Sequence, residues 1–87
     1  MPKGRGIPEV LMNQLLLTAM QQIQTALKTV PDSRLRCHYN AQRDPNEQWT
    51  ATFTWDNTDH TTARSFFGAT LQESLVNLAH AIASNQL

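Results

Sequence analysis

The chain has one cysteine, Cys37, among its 87 residues. That excludes an internal disulfide and gives no sign of an oxidising compartment. There is no excess charge either, since seven basic residues meet seven acidic ones. A polyanion can therefore be held only if the bases gather on one surface. Long apolar runs are missing: Leu15-Leu16-Leu17 is the longest purely aliphatic stretch, too short to span a membrane. The first residues carry Lys3 and Arg5, but Asn13 and Gln14 break the apolar stretch behind them and no small-residue cleavage site appears. A cytoplasmic protein is the expectation.

Catalytic signatures are also scarce. There is no glycine-rich phosphate loop, and neither Ser65 nor Ser74 sits in a nucleophile elbow. Cys37, His38, His60 and His80 lack metal-ligand spacing. Cys37 and His38 are strand neighbours, so they point to opposite faces and cannot share a metal. Asp56-Asn57-Thr58-Asp59 lacks the glycine and distal glutamate of a calcium loop and reads as a turn. Cys37 reads as a small buried hydrophobe, and His80 as a solvated helix residue. No enzyme, metal or cofactor is expected.

What is present specifies a fold. One domain fills residues 1–87, because the chain is too short for two cores. Residues 1–6 read as a flexible tail. A first helix is expected over 8–29, opened by Pro8, with Met12, Leu16, Ala19, Ile23, Ala26 and Val30 on one face and Met20 and Leu27 widening it. Pro31 ends it. The period then changes to two. Strands are expected over 34–39, 48–55 and 61–67, with Leu35, Cys37 and Tyr39, then Trp49, Ala51, Phe53 and Trp55, pointing inward. For the third strand the inward face stays open, because Phe66 and Phe67 fall on opposite sides.

The last helix, within 70–84, is the best-specified element. Thr70 is placed as N-cap and Glu73 as its reciprocal partner in a capping box. Gly68 lets the chain leave the strand without a Cβ clash. Leu71, Leu75, Leu78, Ala79 and Ile82 form the buried stripe, with Asn77 and His80 on the wet side. The expected class is α+β: a two-layer α-β-β-β-α domain, its three-stranded antiparallel meander carrying both helices on one face.

That order resembles the double-stranded-RNA-binding-domain-like fold. The C-terminal half, residues 34 to 83, also resembles HicB-type antitoxins through Trp49-Thr50-Ala51, then Gly68, Thr70, Glu73, Asn77, Ala81 and Ile82. The resemblance implies a shape. HicB-type proteins open with the strand and carry a DNA-binding module after the helix, whereas this sequence places a long helix first. RNA-binding domains present a basic cluster where this chain has Leu71-Gln72-Glu73.

Two candidate surfaces emerge. The outward face of the sheet gathers Arg34, Arg36, His38, Thr50, Thr52 and Thr54, with Arg64 joining if Phe66 is also outward. Such a surface suits phosphate oxygens or an acidic partner, although a sheet with helices on one side needs a wet face in any case. Val10 and Leu17 fall away from the main helical stripe, either as ordinary exposed aliphatics or in contact with the tail, or as a patch for a partner or a second copy. The expected function is a small non-catalytic interaction module, regulatory or adaptor, binding a protein that the sequence does not name, with a homodimer as one form. Nucleic-acid binding through Arg34, Arg36 and Arg64 is the alternative, and no membrane association is expected.

Overall fold

The computed structural model describes residues 9–56 and 59–84. The expected tail over 1–6, the helix start at Pro8, and Asn57 and Thr58 of the second turn lie outside the described residues. The elements run α1 (Glu9–Thr29), β1 (Arg34–Tyr39), a short 3-10 turn (Pro45–Glu47), β2 (Trp49–Asp56), β3 (Thr61–Gly68) and α2 (Leu71–Ala83). The strands form one antiparallel meander in the order β1-β2-β3. Both helices pack on one side of it.

α2 is the centre of the packing. It seats against β2 and β3, while α1 packs along α2 rather than lying flat on the sheet. Leu75 shares one groove with Met20 and Leu27, and Ile82 another with Ala26 and Val30. Their common core joins Ala19, Ile23 and Ala26 to Ala51, Phe53, Leu78 and Ala79. Phe53 and Leu78 are fully buried. Truncating a side chain such as Leu78 to alanine in such a core costs roughly 2–5 kcal/mol.

The sequence places α2's stripe on one side, but the helix is covered on two. Ser74 and Ala81 are buried as well. Ser74 meets its own hydrogen-bond demand by donating to the Leu71 carbonyl at 2.7 Å, so its hydroxyl needs no tertiary partner. Its small volume lets the helix come down close to the sheet. The capping box forms with one change of partner. Thr70 Oγ1 accepts from the Glu73 N–H at 3.1 Å, but the Glu73 carboxylate accepts from the N–H of Ala69, also at 3.1 Å, rather than from Thr70. Asn77, on the wet side, donates to the Phe67 carbonyl at 2.8 Å and ties the helix to the end of β3.

One open question is resolved and two expectations are corrected by the structure. The inward residue of the phenylalanine pair is Phe66, which stands opposite Ala51 and packs on the core. Cys37 and Tyr39 keep the inward register of β1 yet are exposed, because α2 covers β2 and β3 and leaves β1's inner margin open. Cys37 is thus not a buried hydrophobe. In α1 only Ala19, Ile23 and Ala26 are buried; Met12 and Leu16 are half-buried and Met20 is 46% exposed. The first half of this helix has little to pack against.

Between α1 and β1 the chain turns through Asp32, whose φ of 55° lies in the left-handed region, and Ser33 donates to the Leu27 carbonyl at 3.2 Å. Gly68 is needed for close approach. A Cβ there would stand 2.7 Å from both Glu73 Cβ and the Ser74 backbone nitrogen. Gly68→Ala is expected to lower the unfolding free energy by about 1–3 kcal/mol in a urea titration, and an unchanged midpoint would show that α2 does not sit this tightly on β3.

Candidate functional site

The outward face of the sheet is built by register. Arg34, Thr54 and Ala63 form one cross-strand row, Arg36, Thr52 and Ser65 the next, and His38, Thr50 and Phe67 the third. Arg34, Arg36 and His38 therefore do share a surface with the threonines of β2. Arg64 does not. It stands opposite Phe53, on the helix side of the sheet at its exposed margin. The inward turn of Phe66 carries Arg64 with it, since both lie on the same face of β3.

The base that joins the outward face instead is Arg43, from the loop between β1 and β2. Its guanidinium lies 4.3 Å from the Phe67 ring centroid, a cation–π contact. It also donates to the Glu47 carbonyl at 3.0 Å and pairs with the Glu47 carboxylate at 3.3 Å. The loop is closed by the Asn40 N–H donating to the Gln48 carbonyl at 2.8 Å and by Asp44 capping the 3-10 turn through the Asn46 N–H. Sequence reasoning missed Arg43 because the loop's path, and not its composition, brings it over Phe67.

This end of the face is consequently not a wet hydroxyl ladder. Thr50, flanked in register by His38 and Phe67, is 3% exposed, and its Oγ1 is buried without a hydrogen-bond partner. Thr52 and Ser65 satisfy each other across β2 and β3 at 2.9 Å. At the opposite end Arg34 pairs loosely with Asp56 at 3.9 Å, both partners well exposed, and donates to the Asp32 carbonyl. Such a pair contributes little to stability. The rows of Arg36 and His38 themselves contain no carboxylate.

The helix side presents a different surface. Val10 is 71%, Leu17 62%, Met20 46% and Leu11 45% exposed, all on α1. The helical wheel separates Val10 and Leu17 from the main stripe, but it does not single out Leu11 or Met20. No charged residue occurs between Glu9 and Lys28. Beside this flank, Met20, Ile23, Leu27, Leu35 and Leu75 line a shallow apolar groove of about 130 Å³. A larger open groove of about 510 Å³ lies between the C-terminal halves of the helices, bordered by Gln22, Thr25, Ala26, Val30 and Ile82. The Thr25 and Thr29 hydroxyls there donate to carbonyls of their own helix. Among the described residues the groove thus offers side-chain amides and apolar carbons but no ionisable group.

Partial burial of the Cys37 thiol pushes its pKa above the ordinary value, which disfavours the thiolate. His38 is on the opposite face of the strand, and no group of three or more His, Cys, Asp or Glu among the described residues is placed to hold a metal ion. Among the described residues no helix is long and apolar enough to cross a membrane. No family model matches the chain, and no curated protein or solved structure matches it.

The orphaned Thr50 hydroxyl gives a direct check on the closed end of the outward face. Thr50→Val removes a buried, unpaired polar group at nearly constant volume and is expected to raise the unfolding free energy by about 1 kcal/mol. A loss of stability in a urea titration would mean that the hydroxyl has a partner in solution.

Proposed function

We propose that the chain is a small non-catalytic interaction module that docks a protein partner through the aliphatic flank of α1. The observation that carries this reading is the exposure of Val10, Leu17 and Met20 on a helical stretch without a charge. Soluble domains rarely leave contiguous aliphatic surface uncovered without a use for it. The resemblance of residues 34 to 83 to HicB-type antitoxins, read from the sequence, is in keeping with that role. The free thiol supports a reducing compartment, and we place the module in the cytoplasm.

A second reading draws on the carboxylate-free rows of Arg36 and His38, which suit the phosphates of a nucleic acid. With Arg64 on the other side of the sheet, this surface is smaller than the sequence suggested. Affinity capture from extracts of the native cells, repeated with Leu17→Asp, separates the two. A partner retained by the parent chain and lost at least tenfold with Leu17→Asp is expected. Nucleic-acid binding that weakens steeply with salt, is abolished by Arg36→Ala and is untouched by Leu17→Asp would overturn the protein-partner reading.

A further inference from the structure

The exposed flank of α1 has an internal order that goes beyond its being apolar. Val10, Asn13, Leu17, Met20, Gln24 and Leu27 recur at steps of three, four, three, four and three. This is the a/d spacing of a helix-pairing seam. It lies beside the core stripe, whose buried members are Ala19, Ile23 and Ala26, and meets it at Leu27, which packs partly on the core. All six seam residues are exposed except Leu27, which is half-buried. The seam runs about 26 Å at 1.5 Å per residue.

Its chemistry reads the same from either end: aliphatic, amide, aliphatic, aliphatic, amide, aliphatic. We propose that α1 pairs antiparallel with α1 of a second copy of the chain through this seam. The proposal rests on the interaction-module reading and names the partner. A two-fold axis between Leu17 and Met20 sets Val10 against Leu27 of the second copy, Asn13 against Gln24, and Leu17 against Met20. Each layer then meets its chemical counterpart. The two amide layers can exchange hydrogen bonds in an otherwise apolar seam, and one polar layer is enough to fix register and orientation in helix pairs.

Charge favours a second copy over a foreign partner. A two-fold interface sets a surface against itself, so any net charge on it would repel its own image. This seam has none, and the whole chain is neutral at pH 7. The apolar groove beside Met20, Gln24 and Leu27 continues the seam towards Leu35 and the uncovered inner margin of β1. A second helix laid along α1 would cover that margin. Six side chains per copy make an interface below the roughly 1,200–2,000 Å² typical of specific complexes, so weak pairing, micromolar rather than nanomolar, is expected.

The test is sedimentation equilibrium of the full chain over a concentration series from about 1 μM to 1 mM, bracketing that range. The average mass should rise from 9.8 kDa towards twice that value. Leu17→Glu and Met20→Lys should each remain monomeric at concentrations where the parent chain is dimeric. An equimolar mixture of the two should recover the dimer, because only the antiparallel register sets Glu at 17 against Lys at 20. Both sites are solvent-exposed, so folding should survive, as far-UV circular dichroism will show. If either charged variant loses its fold, Leu17→Gln and Met20→Gln replace it and should each weaken the dimer at least tenfold.

A parent chain that stays monomeric to 1 mM overturns the proposal. So does a dimer that ignores both substitutions, or two monomeric variants that fail to recover on mixing. A monomer that still captures a foreign partner through Leu17 would sink the self-pairing alone and leave the interaction-module reading standing. A monomer that captures nothing would remove both.

Discussion

The contact on which the structure depends is the burial of α2 on two sides at once. Leu78 and Phe53 are both fully enclosed, and Ala79 meets the α1 residues Ala19, Ile23 and Ala26 in the same cluster. A domain of this size has roughly 5–10 kcal/mol of net stability, so one such side chain accounts for a large fraction of it. Close approach is obtained with small residues: Gly68 where the helix starts, Ser74 and Ala81 along its length. The cap at Thr70 and the Asn77 bond to Phe67 then fix where the helix begins and how it is anchored.

Placing α2 at the centre leaves unequal margins. α1 has a core only over its second half, because α2 and the sheet do not reach its first turns. β1 is a free edge with its inner side open at Cys37 and Tyr39. Both uncovered regions lie on one side of the molecule, and both are short of charge. On the outward face the loop closes over Phe67 through Arg43, and the Thr52 and Ser65 hydroxyls pair with each other, while the Thr50 hydroxyl is buried without a partner. The exposed apolar surface therefore sits with α1 and the inner side of β1, which is why the functional reading favours apolar docking over anion binding.

Much of the fold was legible in the sequence. Strict alternation from Trp49 to Trp55 set the central strand, and the spacing of Thr70, Glu73 and the leucines after them set α2. The candidate site was legible in part. Val10 and Leu17 stood out because they left the main stripe, and Arg34, Arg36 and His38 were placed correctly by the period of two. Arg64 was not, because Phe66 and Phe67 satisfy either face equally; only pairing with Ala51 decides between them. Arg43 was hidden because loop composition does not specify a path. Ser74 was hidden because a serine satisfied by its own helix is indistinguishable, in sequence, from a solvated one.

The central claim is that α2 is the hub and that the outer half of α1 is held by little else in a single chain. Hydrogen exchange of the protein at sub-micromolar concentration tests this most directly, since core elements open only with global unfolding while weakly packed ones open locally. Amides of Leu75–Ile82 and of Ala51–Trp55 should exchange slowest, and those of Asn13–Leu17 at least a hundredfold faster. Equal protection of Asn13–Leu17 and α2 in the isolated chain, or earlier exchange of α2, would contradict it.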